Sequence, residues 1–369
     1  MILKLYIDES AKDYPAVGSV MDSLRGVPVS VVHDVGEVYK DLVKASDPVG
    51  AGKKVLFLTR NKGAFIKKCP GTKCYTCCGY QILHVGTYCT MDCSYCILQA
   101  YFNPPILQYF VNQEQLFAEL DATVRSKGLA FHRIGTGEFT DSLIWEPITG
   151  LSKRLVPYFG KQDRLVLELK TKSTAIENLK TLKHNQKTIP AWSLNPPAMV
   201  RTEERRTASV SARLKAAAQC EAWGYPVAFH FDPLILYDGW EKDYRKLVRQ
   251  LFKTVSARNI VWISLGSFRF MPSLKPIIQK RFQRSKIVYG EFVPGMDGKM
   301  RYFKPLRMTL FRKMAAWIRE MAPDVALYLC MEDEEVWENA LGFLPQEHGG
   351  LSRMLDESAA RHCGIKLRY

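Results

Sequence analysis

The chain lacks any apolar run long enough to cross a bilayer. Its hydrophobic stretches are broken by charge or glycine well before the roughly 20 residues a span needs. The N-terminal MILKLYIDESAKDY carries acids where a secretory leader would have its apolar core. Together these absences make the cytoplasm the expected compartment and leave no membrane partner. There is no low-complexity tract, no repeat beyond an alternation of strand and helix, and no compositional sign of disorder, with 47% hydrophobic and 24% charged residues. Acids are in short supply: 37 Asp and Glu stand against 52 Lys and Arg, a net charge of +15. That excess suits a polyanionic partner, because phosphate contacts release counterions. It equally suits a basic protein with no such partner.

What the chain does have is cysteine, in one place. Seven of its ten cysteines lie between Cys69 and Cys96. In a cytosolic chain such crowding reads as metal ligands or free thiols rather than disulfides. Three of them, Cys89, Cys93 and Cys96 in GTYCTMDCSYCILQ, are spaced C-x3-C-x2-C. The others, Cys69, Cys74, Cys77 and Cys78, form C-x4-C-x2-C-C. Four thiolates could hold a second metal, but adjacent cysteines rarely both reach one ion, so buried structural thiols are the plainer reading.

At 369 residues the chain exceeds what one core usually serves. Residues 1–80 alternate strand candidates (ILKLYID, VPVSVVHD, KKVLFLTR) with helix candidates (AVGSVMDSL, VGEVYKDLVKA), which predicts a small parallel α/β domain and a Cys-rich linker. From 81 to 284, about five βα repeats follow the cysteine loop, predicting a partial (β/α)6 barrel. One helix is expected to end at Gly128, and Ser173 is expected to cap another. Function in such barrels sits at the C-terminal strand ends, here GTGEFTDS, KTKS, SLNPP, FDPLILYDGW and GSFRF. Residues 285–369 are expected to hold a basic β-hairpin, with Asp297-Gly298 as its turn, and a C-terminal extension.

A [4Fe–4S] cube takes four cysteines, one per iron, so three leave one iron open to an amine and a carboxylate. The three-cysteine spacing, with aromatic Tyr95 ahead of the third ligand, resembles the signature of radical S-adenosylmethionine enzymes. The competing reading is zinc, with a fourth ligand from Cys77, Cys78 or His84.

A narrower resemblance runs through LYIDESAKDYP, CTMDCSYCILQ, YFVN, KTKS, SLN, GYPVAF, DPLILYDGW and FRFMPSLKPII, covering most of residues 3–310. In that series the chain resembles the spore photoproduct lyase family. The resemblance implies a [4Fe–4S] cluster on Cys89, Cys93 and Cys96, and S-adenosylmethionine as the second cofactor. Cleavage would give a 5′-deoxyadenosyl radical that repairs a UV-induced thymine lesion in DNA. Lys172 would meet the methionyl carboxylate, and Ser193 and Asn195 the same ligand. An exposed loop lysine and two capping side chains are the alternatives.

The family's hydrogen-returning Cys-Thr-Ser-Asp is Glu138-Phe-Thr-Asp141 here, and its tyrosine after the third cluster cysteine is Ile97. Gly137 and Glu138 instead resemble the Gly-Gly-Glu stretch by which many radical enzymes hold the methionyl ammonium, a charge-assisted hydrogen bond. Glu138 and Tyr95 are thus the expected catalytic pair. Cys330 is a further thiol that could supply hydrogen. For DNA, the basic and aromatic Lys299, Arg301, Tyr302 and Lys304 are the candidate contacts, with Arg307 beside them. An electron donor such as ferredoxin or flavodoxin completes the expected partners. The same branch acting on another substrate, or a non-catalytic Fe–S DNA-binding protein, are the alternatives.

Overall fold

The computed structural model describes residues 2–71, 74–125 and 131–367. Two curled sheets carry the chain. The larger has eight strands, and seven of them are parallel neighbours. In spatial order these are Gln81–Leu83, His132–Gly135, Leu165–Thr171, Thr188–Ser193, Val227–Leu234, Ile260–Ser267 and Leu327–Leu329. An antiparallel strand, Ile66–Lys68, closes the first edge. This is the expected α/β half-barrel, with Leu327–Leu329 as a strand beyond the expected six. The central strands are buried along almost their whole length, as sheets covered by crossover helices require.

The smaller sheet begins as the N-terminal alternation predicts, with Lys4–Asp8 between Val29–Val32 and Val55–Thr59. It does not stop at residue 80. Leu107–Phe110 adds a parallel strand to Val55–Thr59, and Gly86–Thr87 pairs antiparallel with that strand. One hydrophobic core runs through both sheets, from Leu5 and Leu56 through Tyr109 and Trp145 to Ile263. The cysteine loop therefore lies between two strands of the smaller sheet, Gly86–Thr87 and Leu107–Phe110.

Three local expectations are corrected. Ser173 does not cap a helix; its hydroxyl accepts from the Ala175 N–H, and only a 3-10 turn, Glu177–Thr181, follows. The hairpin is real but short, Phe292–Pro294 against Met300–Tyr302, with Gly298 at φ +73° in its turn. Lys304 and Arg307 lie outside it, on the helix Lys304–Met321, whose second residue is Pro305. The helix expected to end at Gly128 is described as Gln113–Arg125, and Gly128 lies outside the described residues.

Candidate active site

A cavity of about 260 Å³ opens at the C-terminal ends of the parallel strands. Cys89, Cys93, Tyr95, Cys96, Ile97, Gly137, Glu138, Lys172, Ser193 and Lys299 all line it. The sequence placed these residues in five separate segments, and the fold brings them to one cavity.

The cysteine loop is held by its backbone. The buried Lys53 ammonium donates to the carbonyls of Cys89 (3.2 Å) and Met91 (2.6 Å). Gln99 Nε2 donates to the Cys93 and Ser94 carbonyls at 3.0 and 3.1 Å. Arg281 pairs with Asp92 at 3.1 Å and Asp47 at 2.9 Å, tying the loop to the N-terminal sheet's helices. Asp92–Cys93 also pairs antiparallel with Glu204–Arg205. Burial pushes the Cys89 thiol up to about 12 and raises Cys93 well above its usual value, with Lys172 opposing the shift at Cys93. These are thiols that only a strong Lewis acid would ionise.

Tyr95 stands on a buried network that the sequence did not reveal. Its hydroxyl donates to Glu204 Oε1 at 2.5 Å. Glu204 is also paired with Arg213 at 2.5 Å, both fully buried. Burial works against the Glu204 charge, but Arg213 and Lys172 outweigh it and hold the carboxyl below its usual range. Asn195 Nδ2 donates to Glu204 at 3.0 Å, and its Oδ1 accepts from Tyr244 at 2.7 Å. Asn195 is thus engaged in supporting Tyr95 and does not line the cavity, a correction to its expected ligand contact. Ser193 does line it, and the Lys172 ammonium lies 5.7 Å from the Tyr95 ring centre.

Glu138 enters the cavity beside a second set of charges. Lys170 is buried, which opposes its charge, but Glu138, Asp232 and Glu168 more than offset this and raise its pKa. Asp232 pairs with Arg269 at 3.3 Å. Asp141 accepts from Thr171 Oγ1 and the Lys172 N–H, both at 2.7 Å, so it fixes the loop that carries Lys172. Gly137 has a packing reason for being glycine: a Cβ there would come within 2.7 Å of Lys170 Cβ and 2.9 Å of its carbonyl oxygen. Lys170, Asp232 and Arg269 were not singled out from sequence, although all three sit in or beside the strand-end loops that were.

The hairpin residues separate. Lys299 lines the cavity. Arg301 is 1% exposed, paired with Asp297 at 2.8 Å and within 3.8 Å of Glu332. Tyr302 is buried against Phe292, and its hydroxyl oxygen accepts from the Leu236 N–H at 3.2 Å. Arg307 is buried on Glu332. Lys304 is partly exposed but paired with Asp333 and Glu335. The expected DNA-facing role of Arg301 and Tyr302 gives way to an internal one.

The zinc reading also fails on geometry. His84 is wedged between Phe110 and Phe139, both ring nitrogens lack partners, and burial pushes its pKa down to about 4. Neither it nor Cys77 nor Cys78 lines the cavity. Among the described residues, no three His, Cys, Asp or Glu side chains converge on one metal ion.

A profile of spore photoproduct lyase matches residues 73–316. The chain belongs to the spore photoproduct lyase family. It is 28% identical over 209 residues to the spore photoproduct lyase of Bacillus subtilis, covering 56% of this chain and 61% of that protein. With the Clostridium acetobutylicum enzyme it shares 26% over 232 residues, 63% of this chain and 66% of the relative. The chain thus aligns with a little under two thirds of these relatives' length. A solved spore photoproduct lyase variant, with bound AdoMet and dinucleoside spore photoproduct, superposes with a TM-score of 0.79 at 20% identity, covering 89% of this chain and 98% of that one. Another, complexed with dinucleoside spore photoproduct, gives 0.76 at 19%. The family fold extends across the barrel and its appendages.

Proposed function

We propose that this chain is a radical S-adenosylmethionine enzyme that repairs a UV-induced thymine lesion in DNA, as its spore photoproduct lyase relatives are named for doing. The observation that carries the reading is the convergence of Cys89, Cys93 and Cys96 with Glu138, Lys172 and Ser193 on one cavity at the strand ends. The site fits its cofactors. Among the described residues the cavity holds three thiols and no fourth cysteine, and the buried Thr140 Oγ1 on its lining has no hydrogen-bond partner.

Cys89, Cys93 and Cys96 would hold a [4Fe–4S] cluster, which when bound supplies the electron that splits S-adenosylmethionine into methionine and a 5′-deoxyadenosyl radical. Lys172 offers an ammonium to the methionyl carboxylate, and Glu138 a carboxylate to the methionyl ammonium. The Tyr95 ring, fixed through Glu204 and Arg213, gives a rigid wall. Lys299, whose ammonium lies 3.3 Å from Asp297, is the hairpin cation on the cavity and the candidate to meet a phosphate there. DNA and a low-potential donor of the ferredoxin or flavodoxin type are the proposed partners, in the cytoplasm; no helix among the described residues is long and apolar enough to cross a membrane.

The test is anaerobic turnover of reduced protein with S-adenosylmethionine and a spore-photoproduct oligonucleotide, followed by mass spectrometry. Restored thymine supports repair. The second reading, a family enzyme with another substrate, rests on Glu138 and Ile97, which replace the family's expected thiol and tyrosine on the cavity wall. It is favoured if 5′-deoxyadenosine forms without thymine. Absence of both products, from protein with a full cluster, would overturn the enzyme reading in favour of a non-catalytic DNA-binding protein.

A further inference from the structure

The upstream cysteines take no part in the cavity, yet they are not scattered. Cys77 is exposed, whereas Cys220 and Cys363 are buried in the core. The Gly79 N–H donates to Cys77 Sγ at 3.5 Å. Cys69 directly follows the edge strand Ile66–Lys68. A Cβ on Gly71 would lie 3.8 Å from Cys69 Sγ and 4.0 Å from Cys77 Sγ, so both sulfurs border the space this glycine leaves open. No single-ion site is formed there among the described residues.

We propose that Cys77 and Cys69 form a redox-active dithiol that exchanges with low-molecular-weight disulfides. Cys77 is the attacking group. The Cys78 thiol, the Gly79 N–H and the nearby Arg133 guanidinium stabilise its thiolate against burial and lower its pKa to about 5. Cys69 is the resolving group, kept as a neutral thiol by burial and by Glu138, at about 11. Cys78 is poorly placed for that role: adjacent Cα atoms are about 3.8 Å apart, short of the roughly 4.4 Å at which disulfides normally begin.

The step balances. The Cys77 thiolate attacks RSSR, forming Cys77–S–S–R and releasing RS⁻. The Cys69 sulfur then displaces the second RS⁻, its proton leaving with that group as RSH. Two electrons pass from the protein thiols to RSSR. The loop involved also steadies the hairpin: Tyr75 Oη accepts from the Met296 N–H at 3.2 Å, its ring lies 4.2 Å from the Arg301 guanidinium, and the Thr76 N–H donates to the Glu332 carbonyl at 3.2 Å.

The experiment is anaerobic treatment of the cluster-loaded protein with oxidised glutathione, then alkylation and peptide mass spectrometry. The expected product is a Cys69–Cys77 disulfide. In Cys69→Ser a Cys77–glutathione adduct should accumulate, and Cys77→Ser should abolish both, while Cys363→Ser changes nothing. A second measurement, the rate of iodoacetamide labelling, separates reactivity from folding. At pH 7 a low-pKa thiolate gains population but loses nucleophilicity, and the two effects roughly cancel. At pH 5.5 an ordinary thiol is roughly 30-fold less ionised than at pH 7, while Cys77 stays mostly charged. Labelling of Cys77 should therefore fall less than threefold across that interval. A fall near 30-fold, no trapped adduct in Cys69→Ser, or protection of these cysteines by iron beyond four atoms per chain would each overturn the proposal.

Discussion

Cys89, Cys93 and Cys96 all reach one cavity, whereas of Lys299, Arg301, Tyr302 and Lys304 only Lys299 does. The difference lies in what positions each group. The cysteine loop is fixed by hydrogen bonds to its own carbonyls, from Lys53 and Gln99, and the spacing of three residues and two puts all three cysteines on one cavity. The basic residues of this region are positioned by carboxylates, some near and some far: Lys299 and Arg301 by Asp297 in the turn, Arg301 and Arg307 by Glu332, Lys304 by Asp333 and Glu335. A close-spaced ligand motif carries its geometry with it. A run of positive charge carries none, because burial and pairing depend on residues outside it.

The sharpest break of this comparison is Cys93→Ala. It should reduce S-adenosylmethionine cleavage to background in an anaerobic assay while leaving oligonucleotide affinity unchanged. Arg301→Ala should do the opposite kind of damage. Removing one member of a buried pair costs about 3–5 kcal/mol, so urea denaturation should report a large loss of stability; the salt dependence of DNA binding should not move in protein that remains folded. Acid should weaken the same hairpin. Burial opposes the Asp297 charge, but Arg301 outweighs it and depresses the carboxyl's pKa. Its stabilising contribution is then complete above the ordinary carboxylate pKa and is lost as pH falls through the depressed value, which hydrogen exchange across residues 292–302 would follow.

Glu138→Gln tests the cavity itself. Losing a charged partner of the methionyl ammonium should raise the KM for S-adenosylmethionine roughly 10- to 100-fold, the span of about 1.5–3 kcal/mol for a charged hydrogen bond. A change in product identity with an unaltered KM would instead place Glu138 against the DNA substrate.

The parallel strands were legible because each is a short aliphatic run ending at a polar loop, and the strand-end rule then pointed to loops that line the cavity. Lys172, Ser193 and Glu138 came from those loops. Glu204 and Arg213 did not, because a fully buried ion pair looks in sequence like two surface charges on a helical stretch. Asn195 was misread for the same reason: its strand-end position was correct, but Glu204 and Tyr244 occupy its amide. The N-terminal sheet was half legible. Its last two strands, Leu107–Phe110 and Gly86–Thr87, come from beyond the apparent boundary, and no local pattern says which sheet a strand will join.

The smallest expected effect distinguishes two lysines five residues apart. Both are ion-paired, Lys299 with Asp297 at 3.3 Å, but only Lys299 lines the cavity; Lys299→Ala should flatten the log–log salt slope of DNA binding by about 1, the loss of one phosphate contact, and weaken affinity evenly across sequences. Lys304→Ala should leave the slope alone. Its ammonium is held by Asp333 at 3.2 Å and Glu335 at 2.7 Å, and an exposed pair of this kind contributes about 0–1 kcal/mol of stability. If Lys304→Ala flattens the slope as much as Lys299→Ala, the acids release Lys304 when DNA arrives, and Glu335→Gln should then tighten binding. If neither substitution moves the slope, the hairpin is not the DNA surface, and the excess of positive charge must act elsewhere on the molecule.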